Sequence, residues 1–322
     1  MRITTSSWKR RLWTFQEGVM SRDLYFLFAD GLKNIEDLEV LYSAAAAESV
    51  IAAPARSFYT NLLRPRGFRR RADAEFVSSV YRAVQWRTTS RLSDETLALG
   101  LILNVNDARL ADFHGDERME LLLRNLPEIP AGLIFMPGQR LKNSPFRWAP
   151  RTWMIGDNPR YPDPFVNPIS TYLPTGYSMT LAQSVLTDRG LLVRYPGYRL
   201  RGARSIRFDF DFPTDLTLRR WYQVRRLFPG IVTDLTLEKK QSIKLGIICC
   251  RPNAGVLPEI AVLVFIEGES NGTLHSRWLD LVRINLLDQD DDILRAQKRF
   301  MAENAQCVPG ETLSPEQLWT VD

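Results

Sequence analysis

Histidine is nearly missing from this chain: the 322 residues hold two. Cysteine is scarce as well, at three residues. Two histidines leave little material for a histidine metal site. Three cysteines are too few for a secreted disulfide framework. No run of about 18 uncharged apolar residues occurs, so the sequence offers no membrane-spanning helix. The longest apolar region, residues 243–267, is broken by Arg251, Pro252, Pro258 and Glu259. Gly-Lys never occurs, which excludes a phosphate-cradling G-x-x-x-x-G-K-[ST] loop, and G-x-G-x-x-G and G-x-S-x-G are missing too. The opening residues carry Arg2, Lys9, Arg10 and Arg11 but no apolar core, which argues against a secretory signal and for a cytoplasmic protein. Charge is only mildly unbalanced, with 42 Lys plus Arg against 37 Asp plus Glu.

What is present reads as helices first and strands second. Apolar residues recur at helical spacing over residues 8–20, 35–47, 73–86 and 116–126. Ser93, Asp94 and Glu95 suit the start of another helix, Ser93 as the cap and the two acids as partners of the macrodipole. Strand-like runs follow at residues 133–136, 191–195, 205–212, 244–250, 260–267 and 279–287, after a short aromatic run at 23–28. Tyr195-Pro196-Gly197-Tyr198 has the residues of a type II turn between antiparallel strands, and Asn271-Gly272 those of a tight hairpin turn. A last helix is expected over 291–303. The fold class is therefore α+β, a helical N-terminal half followed by a mostly antiparallel β C-terminal half. The chain divides into residues 1–30, a helical region 31–130, a Pro-rich connector 131–180 and a β-rich region 181–322.

Candidate chemistry is sparse. Asp288, Asp290 and Asp292 have calcium-loop spacing, but Ile293 and Arg299 stand where that loop needs Gly and Glu. A helix start fits these acids better. His114 lies beside Asp116 and Glu117 with no second histidine near, which suits a loop residue at a helix start; His275 follows the Asn-Gly turn and should be exposed. Cys249 and Cys250 fall in a strand-like run and read as buried free thiols on opposite faces. The segment Arg147 to Trp153 interleaves two cations with two indoles, consistent with arginine stacked on tryptophan. The densest basic patch is Arg64, Arg66, Arg69, Arg70 and Arg71, a solvated face or an anion site. No residue set points to catalysis, a cofactor or a metal.

Three segments together resemble fungal heterokaryon-incompatibility (HET) domain proteins. Trp8-Lys9-Arg10-Arg11-Leu12-Trp13-Thr14-Phe15-Gln16-Glu17 looks like the W-x-x-R-x-W-T-x-Q-E block that closes that domain. Trp86-Arg87-Thr88-Thr89-Ser90 with Asp94-Glu95 is similar to a W-R-x-[ST]-S-x-x-x-D-E stretch just downstream. Phe146-Arg147-Trp148-Ala149-Pro150-Arg151 looks like a further F-R-W-A-P segment. The family's earlier S-Y-x-W-G and I-W-I-D-x-x-C-I-N-Q blocks are not found, so residues 1–30 would be the remnant of a HET domain. The resemblance implies nonself recognition linked to programmed cell death after hyphal fusion. It also implies a distant likeness to TIR domains, some of which cleave NAD.

The expectation is thus a non-enzymatic portion of an incompatibility protein acting through protein contacts. A degenerate TIR-like NAD hydrolase and a basic nucleic-acid-binding protein are the alternatives. Missing upstream blocks count against the first alternative, and modest charge without an RNA-binding signature against the second. The expected partner is a protein, not a membrane or a nucleic acid.

Overall fold

A computed structural model describes residues 10–38, 40, 74–85, 87–105, 107–154, 184–203, 210–215, 220–227, 243–250, 259–287, 290–301 and 309–322. The basic patch Arg64 to Arg71, Trp8, Trp86, Asp288 and the expected strand residues 205–209 lie outside them. Two compact units are present: Met1–Pro130 with Arg151–Ser170, and Ala131–Pro150 with Thr171–Asp322. Helices lie mostly in the N-terminal half and strands in the C-terminal half, an α+β chain. No described helix is long and apolar enough to cross a membrane.

In the first unit, α1 (Leu12–Met20) buries Leu12, Phe15 and Val19, the expected i, i+3, i+7 stripe. The short strands β1 (Tyr25–Phe28) and β2 (Gly31–Asn34) form a separate antiparallel hairpin. Cross-strand partners share a face, so Tyr25, Leu27 and Leu32 lie together, 53%, 80% and 66% exposed. Helices α2 (Ala74–Val84), α3 (Asp94–Ile102) and α4 (Gly115–Arg124) complete the layer. On them Phe76, Val80, Leu99, Met119 and Leu122 are buried. A Cβ on Gly100 would sit 2.9 Å from Leu110 Cδ1, so the Leu110 side chain of the 3₁₀ turn Ala108–Ala111 packs directly on the bare Cα of α3.

The second unit is a ten-stranded sheet. Its strands are β3 (Val185–Thr187), β4 (Gly190–Arg194), β5 (Gly197–Ala203), β6 (Phe210–Asp215), β7 (Arg220–Arg226), β8 (Ile243–Cys249), β9 (Glu259–Ser270), β10 (Thr273–Leu287), β11 (Gly310–Thr312) and β12 (Leu318–Val321). They run in the order β11-β5-β8-β9-β10-β12-β4-β3, with β7 and then β6 beside the far end of β10. Among these pairs β10–β12 is parallel and the rest are antiparallel. Asn271 and Gly272, at φ 49° and 74°, make the tight β9–β10 turn. One sheet face carries Leu200, Val224, Ile247, Leu263 and Ile284 as a contiguous core. The sheet curls strongly: the Trp319 ring of β12 lies where a Cβ on Gly197 (β5) or Gly246 (β8) would meet it, at 2.8 Å and 3.1 Å. Helix α5 (Asp290–Met301) places Ala296 and Ile293 against Trp221 and Leu287.

Several local expectations are corrected. The strand expected at residues 133–136 is not there: residues 131–135 form a 3₁₀ turn with every residue buried. Pro130 precedes it, and the apolar run looked extended because it is buried on all sides. Tyr195-Pro196-Gly197-Tyr198 is not a hairpin turn: β4 pairs with β3 and β12, and β5 with β8 and β11. The Tyr195 amide donates instead to the Gln317 carbonyl at 3.0 Å. Ser93 is no cap, for its backbone is itself helical and its side chain makes no capping bond. His275 is half-buried, 2.6 Å from Ser270 Oγ through Nε2. Cys249 and Cys250 are buried and not joined in a disulfide, as expected.

Candidate functional site

The first two motif blocks meet in space. The Leu12 amide donates to the Thr88 carbonyl at 2.9 Å and the Thr88 amide to the Arg10 carbonyl at 2.6 Å, a parallel bridge across about eighty residues of chain. Arg87 is buried. Its Nε donates to the Ala83 carbonyl at 2.9 Å, its Nη1 to the Arg11 carbonyl at 3.2 Å, and its guanidinium lies 4.4 Å from the Phe15 ring centre. Burial lowers its pKa to about 9, which still leaves it charged at neutral pH. Trp13 Nε1 donates to Asp94 Oδ2 at 3.2 Å. Gln16 Oε1 is buried without a partner among the described residues, and Glu17 is exposed.

Glu95 departs from its expected role. It does not serve the helix dipole from the surface but is 3% exposed. Its Oε2 accepts from Thr152 Oγ1 at 2.8 Å and its Oε1 from the Trp153 amide at 2.6 Å. Burial pushes the carboxyl up to about 7, against the pull of the Thr152 hydroxyl and the Trp153 and Met154 amides. Trp153 is wholly buried, its ring 5.4 Å from that of Tyr81. Thr152 and Trp153 were read as connector residues; the only sequence signal for them was polar–aromatic alternation.

Arg118 was likewise missed. It is buried on α4 and donates to the carbonyls of Phe113 at 2.5 Å, Ser93 at 2.7 Å and Ala111 at 3.3 Å. Its Nη2 lies 3.1 Å from His114 Nδ1. Arginine has no acceptor, so that bond requires a bare Nδ1 on His114. His114 therefore braces a buried arginine, and Asp116 pairs with Arg151.

The third block lies mostly in the sheet unit. Arg147 binds Asp322 through Nε at 2.8 Å, through Nη2 and through its amide at 3.2 Å. Trp148 is wholly buried and donates to the Pro145 carbonyl at 3.0 Å, and Pro150 bridges to Arg140. Arg147 and Arg151 therefore pair with acids and not with the indoles of this segment, because carboxylates stand within reach of both. Nearby, Asp280 faces Arg226 at 3.1 Å, with its carboxyl raised by burial against that partner's pull.

No group of three or more described metal-ligating side chains converges. No family model matches the chain, and no curated protein or solved structure matches it either. The arrangement of Trp13, Arg87, Asp94 and Glu95, with the Arg11 carbonyl, is a set of fasteners: the polar groups named here are turned toward main chain or toward a named side chain.

Proposed function

We propose that this chain is a non-enzymatic portion of a heterokaryon-incompatibility protein, cytoplasmic and acting through protein contacts. One observation carries the reading. The two most family-like blocks, some eighty residues apart, engage each other directly through Trp13 with Asp94 and Arg87 with the Arg11 carbonyl. Motif residues committed to joining two segments act as a folding signature rather than as a reaction centre. The hairpin supports the second half of the proposal, since Tyr25, Leu27 and Leu32 give it an apolar face of the kind protein contacts use.

The test is expression in a filamentous fungus. Hyphae carrying the chain should change their compatibility on fusion with a partner strain, scored as vital-dye uptake in fused compartments. Leu27→Asp together with Leu32→Asp should abolish the effect while leaving the protein folded. Unchanged fusion with the intact chain overturns the proposal. So does release of nicotinamide from NAD by the purified chain above a heat-killed control.

A further inference from the structure

Glu95 is the most unusual ionisable group among the described residues. A buried carboxylate normally has a cation or a metal beside it, because removing its hydration costs several kcal/mol. Glu95 has neither. On α3 itself, Asp94 is engaged with the Trp13 indole of α1. From α4, Arg118 spends its donors on three carbonyls and His114, and Asp116 pairs with Arg151. At the end of α2, Arg87 binds the Ala83 and Arg11 carbonyls and Tyr81 brings its ring against Trp153. None of these charged groups is bonded to the Glu95 carboxyl, whose partners among the described residues are Thr152, Trp153 and Met154.

The local network accommodates a proton. Thr152 Oγ1 lies 2.8 Å from Glu95 Oε2 and 3.3 Å from the Met154 carbonyl. If Oε2 carries hydrogen it donates to Thr152 Oγ1, and the threonine hydrogen turns to the Met154 carbonyl. The Met154 amide, 3.1 Å from the same hydroxyl oxygen, keeps its acceptor in both arrangements. The Trp153 amide donates to Oε1 in either state. The neutral acid is thus fully bonded without a buried charge, and the anion would be equally bonded but dry.

We infer that the Glu95 carboxyl is a proton-operated latch that clasps Thr152–Met154 to the start of α3 and releases them when it ionises. The clasped residues begin the stretch by which the chain re-enters the helical unit after Pro150. Opening lets water reach the carboxylate, so the open form holds the proton less tightly than the closed form. The closed form is therefore favoured in mildly acidic solution and weakened as pH rises through neutrality. This inference does not depend on the family resemblance.

Hydrogen exchange of the intact chain tests it. Protection of the Trp153 and Met154 amides, corrected for the intrinsic pH dependence, should fall at least about tenfold between pH 5 and pH 8. The Leu123 amide within α4 serves as the control and should not follow. Glu95→Gln, which cannot ionise, should remove the pH dependence. Carboxyl-carbon NMR of the unsubstituted protein gives a second readout that needs no variant: the Glu95 resonance should titrate near neutrality. Flat protection across the range, a dependence that persists in Glu95→Gln, or a Glu95 carboxyl that titrates near 4.5 would each overturn the latch.

Discussion

Among the described residues, the helical unit and the sheet unit satisfy their fully buried charged side chains by different means. In the helical unit Arg87 and Arg118 bond mainly to carbonyls, and Glu95 to amides and one hydroxyl. In the sheet unit Asp280 and Asp322 each face a guanidinium, from Arg226 and Arg147. The reason lies in the backbone. Helix ends and the turns between them leave main-chain donors and acceptors over, and a buried charged side chain can satisfy several at once. Paired strands consume their own donors and acceptors in the ladder, so a charge buried there needs an opposite charge. Single charged residues thus become structural keystones among the helices, whereas the sheet depends on apolar volume and close backbone approach.

The sharpest way to break this contrast is Arg118→Leu. It would remove three charge-assisted bonds to the part-buried carbonyls of Ser93, Phe113 and Ala111, and stability in a denaturant titration should fall by about 4 kcal/mol. A loss below about 1 kcal/mol would show that these carbonyls find other donors, and the keystone view would fail. Next comes Gly197→Ala in the sheet. The new Cβ would stand 2.3 Å from the Ile247 carbonyl, so two paired strands must part, at about 3 kcal/mol by the same titration. Glu95→Gln follows, with an effect that depends on pH. Glu95 has a raised folded pKa, so its stabilisation is fully present below 4.5 and is lost as pH rises through about 7. The unsubstituted protein should lose on the order of 2 kcal/mol across that window and the variant nearly none, as read from melting temperatures between pH 5 and pH 8. Smallest is Leu27→Ser with Leu32→Ser on the exposed hairpin. Stability should move by less than about 0.5 kcal/mol. Self-association in light scattering should drop, and an unchanged scattering profile would remove the hairpin from any role in contact.

Much of this was legible in the sequence, for reasons that are local. The stripes Leu12–Phe15–Val19 and Met119–Leu122–Leu123 announce their helices, and Asn271-Gly272 announces its turn, because neighbours in the chain decide those features. The failures share a cause as well. Glu95 looked like a surface acid because its position in the first helical turn suits one; only Thr152 and Trp153, nearly sixty residues on, bring it inside. Arg118 sits in a polar-looking helix, and its three carbonyl partners come from loops that no periodicity describes. Residues 131–135 carry an apolar run that fits a strand or a buried turn equally well. Tyr195-Pro196-Gly197-Tyr198 has turn residues, yet β12 pairs with β4 and the chain beyond joins a different part of the sheet. What the sequence hid is in each case a decision made by residues far away.

The position of β12 has a consequence in time. Residues 318–321 insert between β10 and β4, and Trp319 closes the curl over Gly197 and Gly246. Every strand that β12 touches precedes it in the chain. During synthesis, then, β4 emerges from the ribosome more than a hundred residues before the neighbour that will cover its edge. At about 5–20 residues per second the nascent sheet stands split for several seconds, with the edges of β4 and the first half of β10 open. Those seconds are the interval in which a holding chaperone has most to protect.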